Sequence, residues 1–220
     1  MDRSHPLDSV ARPKQARSQG TLERILDAAE ALIEEKGLAD ASIPEIVRRA
    51  GSSVGGFYAR FQDKAQLLRA LEERFFDDVY RRLERLAEVG RSGTASVGEI
   101  VKACVAELVG VTRARTRLIQ AFVFRAAQDP AFHADALRFR ARVSERVKEM
   151  VLARSEPMGH PEPALAVDLG VQLAFGLMFQ LVLLGEVRAD GRVLSDAEIA
   201  REIERIVLRY FGVGETPASA

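Results

Sequence analysis

Apolar residues recur at intervals of three and four along most of the chain, which is the spacing of helices rather than of strands. The first such run starts at Leu22 and ends at Gly37, a residue typical of helix C-termini. No strand alternation and no internal repeat is visible, so the sequence predicts an all-α fold. About nine helices are expected, over residues 22–37, 43–50, 53–61, 64–90, 96–112, 115–128, 130–154, 162–187 and 195–211.

Capping residues mark the starts of the short N-terminal helices. Ser42 and Glu45 form the capping-box pattern before the second helix, and Asp63 and Gln66 form another before the fourth. Gly51 separates the second helix from the third. Two short helices joined by a tight turn that contains glycine are typical of a helix-turn-helix, the DNA-binding motif.

The third helix would be the one that enters the DNA major groove, with its N-terminal residues nearest the bases. It contains Gly55 and Gly56, although each glycine in a helix interior costs roughly 1 kcal/mol relative to alanine. A backbone that must lie close to DNA would account for them. Lys64 stands at the start of the fourth helix, where the macrodipole disfavours a cation, so either a phosphate compensates it or it is simply exposed.

The charge balance limits this interpretation. The formal net charge of the chain is +0, so its overall composition gives no electrostatic support for a nucleic-acid partner. Residues 42–64 carry four basic and two acidic side chains, a local excess of 4 − 2 = +2. Residues 1–20 are polar and predict a flexible arm, and its basic residues form either a nucleic-acid contact or a solvated end.

Other classes of protein are disfavoured. The most apolar run, residues 169–185, has 17 residues, short of the roughly 20 that cross a bilayer, so a core or dimer-interface helix is expected and no membrane partner. The absence of a targeting signal indicates a cytoplasmic protein. His5, His133 and His160 lack ligand spacing, and no nucleophile motif or phosphate loop is present. Therefore no enzyme, cofactor or metal site is expected.

Two segments, "ILDAAEALIEEKG" and "SIPEIVRRAGSSVGGFYARFQDKAQLL", resemble the N-terminal DNA-binding domain of the TetR family of bacterial transcriptional regulators. The resemblance covers about 47 residues, from Leu22 to Leu68, and keeps the order and spacing of many elements. Beyond the flexible basic arm (1–20) that polarity predicts, it implies a three-helix helix-turn-helix domain (21–67) and a larger helical ligand-binding and dimerisation domain (68–220).

The resemblance also implies a function. The protein would be a homodimer that binds a palindromic double-stranded DNA operator, usually as a repressor, and that a small-molecule effector releases. Ligand binding would favour a conformation in which the two recognition helices no longer match the groove spacing. A helical adapter, or a TetR-like protein without sequence-specific DNA binding, is the alternative.

The family pattern assigns phosphate contacts to Ser42, Tyr58 and Lys64, and base contacts to Ser52–Gly56. The chain departs from it at Val54, where the family often has a polar residue, and at Gly56, where it often has threonine. Valine could touch a thymine methyl, while readout could fall on Ser53 and Arg60 with a larger share for DNA shape. The DNA-binding candidates are Arg12, Lys14, Arg17, Ser42, Ser52, Ser53, Val54, Gly55, Gly56, Tyr58, Arg60 and Lys64.

Beyond Leu68 the resemblance gives only architecture. The last two long helices, near 162–187 and 195–211, would form the dimer interface with their counterparts, and burial of both within one subunit is the alternative. A ligand pocket would lie among the middle helices, lined by mostly apolar side chains with a few polar groups. The pocket candidates are Phe122, Arg125, Phe139, Gln172, Phe175, Met178 and Phe179.

Overall fold

The computed structural model describes residues 8–90, 95–155 and 157–213, apart from the side chains of 8–18 and 89–90. This part of the chain is mostly helical, which confirms the predicted fold class. Its elements are α1 (Asp8–Asp40), α2 (Ile43–Arg49), α3 (Val54–Tyr58), α4 (Lys64–Gly90), α5 (Val97–Ala114), α6 (Thr116–Ala126), α7 (Pro130–Leu152), α8 (Pro163–Leu184), β1 (Arg188–Ala189), β2 (Arg192–Val193) and α9 (Asp196–Phe211).

The chain divides into two compact units, with the division between Arg74 and Phe75. The first unit holds α1 to α3 and the beginning of α4, and the second holds the rest of α4 and α5 to α9. The division lies inside α4 rather than at its start, where the sequence places the domain boundary. Leu67, Leu68 and Leu71 account for this difference, because these apolar side chains of the first turns of α4 are buried.

The first helix is longer than its apolar spacing predicts. α1 begins at Asp8, so residues 8–20 are helical and not the flexible arm expected from their polarity. Residues 14–19 are mostly good helix formers, and a helix extends readily once its first turn exists. At the other end, Gly37 has φ 86° and ψ 163° and interrupts the helical backbone, as predicted.

Glu45 fastens α2 to α1. Lys36 on α1 donates to both carboxylate oxygens of Glu45 at 2.6 Å, and the Ser42 hydroxyl donates to Oε2 at 2.7 Å. Ser42 Oγ also accepts from the backbone N–H of Glu45 at 3.4 Å, which is the predicted N-cap bond. The hydrogen bonds from Lys36 and Ser42 lower the pKa of Glu45 to about 2.

The start of α4 is capped by Asp63. Its Oδ1 accepts from the backbone N–H of Gln66 at 2.7 Å, as the sequence predicts. The amide oxygen of Gln66 accepts from the N–H of Gln62 at 2.6 Å, so the returning bond reaches one residue before the cap. Together these bonds satisfy N–H groups that the first turn of a helix leaves without a partner.

The second unit is a packed group of helices. α5 packs along α9, α7 packs along α8, and α6 packs against α7. α8 also contacts α9, and Gly170 permits a close approach there: a Cβ at this position would lie 2.9 Å from Cε1 of Phe211. A larger residue at 170 would force the two helices apart.

A short hairpin joins α8 to α9. Arg188 pairs with Val193, and Ala189 pairs with Arg192, in an antiparallel arrangement. Asp190 and Gly191 have φ values of 49° and 72°, which suit the two-residue turn that Asp-Gly favours. The spacing of apolar residues predicts no strand between the helices at 162–187 and 195–211, and the two short strands correct that expectation. Two residues are too few to show alternation, and the Asp-Gly pair is the signal that indicates the hairpin.

α8 is apolar on both sides. By length and composition it could cross a membrane, although a third of its most apolar stretch is buried within the subunit. The buried side includes Ala166, Val167 and Leu181, as in a helix that belongs to a protein core. The opposite side, which we call the α8 outer face, exposes Leu165, Leu169, Leu173, Phe179, Leu183 and Leu184.

We expect Glu45→Gln to lower the free energy of unfolding at neutral pH, because it removes the charge that Lys36 and Ser42 stabilise. The folded-state pKa of Glu45, about 2, lies below its ordinary value of 4.5. The carboxylate therefore stabilises the fold above about pH 4.5, and this contribution is lost as the pH falls towards about 2. The difference in unfolding free energy between wild type and variant should shrink over that range in urea titrations followed by circular dichroism.

Glu73→Gln is the control, because it removes the charge of an exposed carboxylate in the same unit. A wild-type-to-Glu45→Gln difference that stays constant from about pH 5 to pH 2 would contradict the assignment.

Candidate nucleic-acid interface

The turn between α2 and α3 is fixed by backbone hydrogen bonds. The N–H of Ala50 donates to the carbonyl of Ile46 at 2.9 Å, and the N–H of Ser52 donates to the carbonyl of Val47 at 2.8 Å. Gly51 between them has φ 58°, in the left-handed region that glycine enters at little cost. The geometry is that of the glycine turn expected in a helix-turn-helix.

α3 is short and is stabilised by an N-cap and by a buried aromatic ring. Ser53 is its N-cap, and its Oγ accepts from the N–H of Gly56 at 3.0 Å. The ring of Phe57 is 0% exposed, and its centroid lies 5.2 Å from that of Phe61. Burial of Phe57 fixes which side of α3 points away from the protein.

That outward side, which we call the α3 outer face, consists of Ser53, Val54, Gly55 and Tyr58. Val54 is 46% exposed and Tyr58 is 54% exposed, although both carry large apolar groups. The phenol ring of Tyr58 packs edge-on against Phe57, with 5.3 Å between the centroids. This contact fixes Tyr58 at one end of the face, while Val54 stands at the other.

The two adjacent glycines have different surroundings. A Cβ on Gly56 would lie 2.8 Å from Oγ of Ser52, so glycine at this position makes room for that hydroxyl. A Cβ on Gly55 would meet Oγ of Ser53 at 3.9 Å, which is ordinary contact, and nothing else within 4 Å in the described residues beyond its chain neighbours and its own helix backbone. The protein's own packing therefore does not require glycine at position 55, where the space lies outside the unit.

Arginines at the ends of α2 and α3 differ in how they are held. Arg60 donates from Nη1 to the carbonyl of Gly56 at 2.8 Å, so the group expected to contact bases has a partner on its own helix. Arg49 pairs with Glu35 at 2.6 Å. Arg48 is exposed at the end of α2, the helix that crosses the DNA backbone in this motif. Arg48 is absent from the predicted contacts, and its place in the last turn of α2 is the signal that would have included it.

Lys64 binds within the protein. Its ammonium donates to the carbonyl of Leu38 and lies 3.4 Å from the carbonyl oxygen of Ala39. These carbonyls end α1, where the negative end of the helix favours a cation. Desolvation by partial burial lowers the pKa of Lys64, and the nearby Asp40 opposes that shift. The unfavourable position at the start of α4 is thus compensated without DNA, and the phosphate contact remains a prediction.

The remaining predicted contacts are of two kinds. The hydroxyl of Ser42 donates to Glu45, so it would have to exchange this partner in order to donate to a phosphate. The side chains of Arg12, Lys14 and Arg17 lie outside the described residues. The structure therefore brings together the α3 candidates, residues 52–56, 58 and 60, and gives several of their polar groups internal partners.

An aromatic cluster lies in the second unit. Phe139 stacks on Phe76 with 4.1 Å between centroids and 9° between planes. Phe75 lies 5.7 Å from Phe122, and Phe175 meets Phe139 edge-on at 6.5 Å. Three pocket candidates, Phe122, Phe139 and Phe175, therefore belong to one group of rings contributed by α4, α6, α7 and α8.

The other pocket candidates are dispersed. Met178 is buried, and Arg125 is paired with Asp129 at 2.9 Å. Gln172 and Phe179 lie on the exposed side of α8, so the structure does not place them with the aromatic cluster. They are two helical turns apart and share a side, whereas Met178 belongs to the opposite side. Within the described residues, no group of three or more His, Cys, Asp and Glu side chains could hold a metal ion.

Residues 25–71 match the family model described as bacterial regulatory proteins, tetR family. Over these residues the chain is similar to the TetR family. The matched residues contain α2, α3 and the turn between them, so the first unit is similar to the helix-turn-helix domain of that family. The proteins that this family model describes are regulators, which agrees with the expectation that the chain is not an enzyme.

The likeness to curated HTH-type transcriptional regulators spans about the length of that domain. An uncharacterized HTH-type transcriptional regulator of Bacillus subtilis (strain 168), YvdT, is 48% identical over 61 residues, which are 28% of this chain and 30% of that protein. SrpR, an HTH-type transcriptional regulator of Pseudomonas putida, is 36% identical over 62 residues, or 28% and 29% of the two chains. The matched segment thus spans less than a third of each relative.

The fold of the whole chain is shared more widely. The crystal structure of a transcriptional regulator from Rhodococcus sp. Rha1 covers 87% of this chain and 98% of its own, with a TM-score of 0.67 and 19% identity. At that identity the likeness establishes a common fold. The shared fold therefore includes the second unit.

Lys64→Met should separate the two roles of this residue, because it removes the ammonium and keeps the apolar stem. Loss of the bonds to the end of α1 should lower the free energy of unfolding by about 1–2 kcal/mol. If the ammonium also contacts a phosphate, DNA affinity should fall about equally for all sequences. The slope of the logarithm of the binding constant against the logarithm of salt concentration should also fall in magnitude by about 1. Urea denaturation measures the first effect and anisotropy titrations over a range of salt measure the second.

Lys102→Met is the matched control, since Lys102 is an exposed lysine in α5. Unchanged stability of Lys64→Met would remove Lys64 from the packing of α1, and an unchanged salt slope would remove it from the phosphate contacts.

Proposed function

We propose that this protein is a TetR-family transcriptional repressor that binds a palindromic operator in double-stranded DNA as a homodimer, and that a small-molecule effector releases it. The α3 outer face carries this proposal. It is exposed, has open space at Gly55, and belongs to a helix-turn-helix of the TetR type. A DNA partner implies that the protein acts in the cytoplasm.

Binding to DNA would depend more on shape complementarity than on electrostatic attraction to the phosphates. The whole chain has a formal net charge of +0, and two of the local cations, Arg60 and Lys64, have partners inside the protein. Arg48 and the basic residues near the N-terminus supply the remaining phosphate contacts. Few such contacts predict a shallow dependence of affinity on salt, because each neutralised phosphate contributes about one unit of slope.

The α8 outer face supports a homodimer. It exposes a row of large apolar side chains at helical spacing, among them Leu173 at 55% and Leu184 at 68%. On the neighbouring helix α9, Ile206 is also 52% exposed. A contiguous apolar surface of this kind marks an interaction site rather than an ordinary surface. Two copies joined through α8 and α9 would present two α3 helices to a symmetric operator.

The aromatic cluster supports an apolar or aromatic effector. The guanidinium of Arg140 lies 5.6 Å from the ring centre of Phe175, and that of Arg115 lies 5.8 Å from that of Phe75. Apolar walls with a few convergent polar groups are what small-molecule sites offer. A ligand that displaced one of these rings would change the packing of α4, which supplies Phe75 and Phe76.

α4 is the element through which effector binding would act on DNA affinity. It begins at Lys64 in the first unit and ends at Gly90 in the second. An effector lowers DNA affinity only to the extent that it binds one of two conformations better than the other. We propose that the effector-bound arrangement of α4 is incompatible with simultaneous binding of both half-sites.

A second candidate is a TetR-like protein that does not recognise a specific DNA sequence. The observation in its favour is the scarcity of unengaged polar groups on α3, where valine and glycine stand at positions often polar in the family. Anisotropy titrations against DNA from upstream of the gene distinguish the two. Tight binding to one palindrome supports the regulator, and equal weak binding to all DNA supports the second candidate.

Gly55→Ala should stabilise the free protein and weaken operator binding. The added methyl group meets no close atom within the unit, so removing an exposed helical glycine should raise the free energy of unfolding by about 0.5–1 kcal/mol. Against DNA the same methyl group would occupy the space of close approach, and affinity should fall roughly tenfold. Thermal denaturation and anisotropy measure the two effects.

Gly110→Ala is the matched control, because Gly110 is an exposed glycine in α5 with open space around its Cα. It should give the same gain in stability with no loss of affinity. Equal affinities of the two variants for the operator would show that DNA does not approach α3 at Gly55.

Leu173→Glu should convert the dimer to a folded monomer, because it places a charge in the centre of the α8 outer face without disturbing a buried side chain. Operator affinity should fall roughly 100-fold or more, since the second half-site no longer adds to binding. Sedimentation measures the mass and circular dichroism checks the fold. Leu137→Glu changes a leucine of similar exposure, 51%, on α7 and should remain dimeric. A dimeric Leu173→Glu protein would place the interface elsewhere.

A further inference from the structure

We propose that Val54 recognises the C5-methyl group of a thymine in the major groove, and that this contact is the main base-specific one made by α3. The inference rests on the proposed DNA-binding function and adds the chemical feature that the operator must present. It follows from which atoms of α3 remain available once the internal hydrogen bonds of the helix-turn-helix are made.

The position of Val54 favours contact with a base. It is the first residue of α3, and the N-terminal residues of a recognition helix lie nearest the base edges. Its side chain is 46% exposed, and the neighbouring outer-face residue, Gly55, has no side chain to hold DNA away. The two γ-methyl groups are therefore free to meet the floor of the groove.

Two polar neighbours of Val54, Arg60 and Ser53, are engaged or undiscriminating. The guanidinium of Arg60 donates to the carbonyl of Gly56 at 2.8 Å. Oγ of Ser53 accepts from the N–H of Gly56, which leaves its O–H as a donor. Every base pair offers a purine N7 acceptor in the major groove, so one hydroxyl donor distinguishes base pairs poorly.

Thymine has the group that fits the remaining surface. Its C5-methyl is the apolar group on the major-groove edge of the base pairs, and valine methyl groups gain by covering it. Removing one buried methyl group costs an amount of free energy that corresponds to roughly a fourfold loss of affinity. The exposed apolar face of α3 thus predicts that the operator requires a thymine opposite Val54. A polar face would instead predict recognition through hydrogen bonds to base edges.

The test begins with the full-length protein and a random-sequence duplex library, from which the bound sequence is selected. Each thymine of that sequence is then replaced singly by deoxyuridine, which removes the C5-methyl and keeps base pairing. We expect one thymine in each half-site at which the replacement weakens binding roughly fourfold or more by anisotropy. With Val54→Ala the same replacement should have no effect, because the partner of the methyl group is gone.

Val193→Ala is the matched control, since Val193 is a valine of similar exposure, 44%, on β2. It should have the operator affinity of the wild type and the same loss of affinity when thymine is replaced by deoxyuridine. Wild-type binding that no uracil replacement weakens, or a penalty that persists in Val54→Ala, would overturn the inference and leave the proposed function standing. Failure to enrich any sequence would overturn the proposed function and the inference with it.

Discussion

Helices of seven and five residues do not persist on their own backbone hydrogen bonds, and α2 and α3 depend on the side chains at their ends. Ser42, Ser53 and Asp63 satisfy N–H groups at the starts of α2, α3 and α4. Arg60 and Lys64 satisfy carbonyls at the ends of α3 and α1. The orientation of α3, and so of any surface that it presents, follows from these five side chains together with the buried ring of Phe57.

The polar side chains near α3 therefore either stabilise the helix ends or remain available to bind a partner. A hydroxyl or guanidinium that closes a helix end is less available to a partner outside the protein, because each new bond must replace an existing one. On the α3 outer face the groups left over are the methyl groups of Val54, the bare Cα of Gly55, the phenol of Tyr58 and the O–H of Ser53. The apolar character of the surface is thus a result of how such a short helix is held.

The sequence predicted the helices of the first unit well from Leu22 onward, because capping residues and glycines at positions 37 and 51 act locally. It could not reveal contacts between residues distant in sequence. Lys64 looked unfavourable from the dipole of its own helix, whereas the carbonyls that bind it lie in α1. Gln172 and Phe179 were assigned to a pocket because apolar spacing on α8 covers both of its sides. Asp8–Gly20 carries no apolar stripe, so its helical backbone left no periodic signal.

The α8 outer face also links fold stability to abundance. If a second copy covers it, the folded state is favoured by mass action, and the melting temperature rises with protein concentration. A cell that made little of the protein would then hold a larger fraction of separated subunits with exposed leucines, open to proteolysis or to self-association. The amount of functional regulator would consequently rise more steeply than the rate of its synthesis.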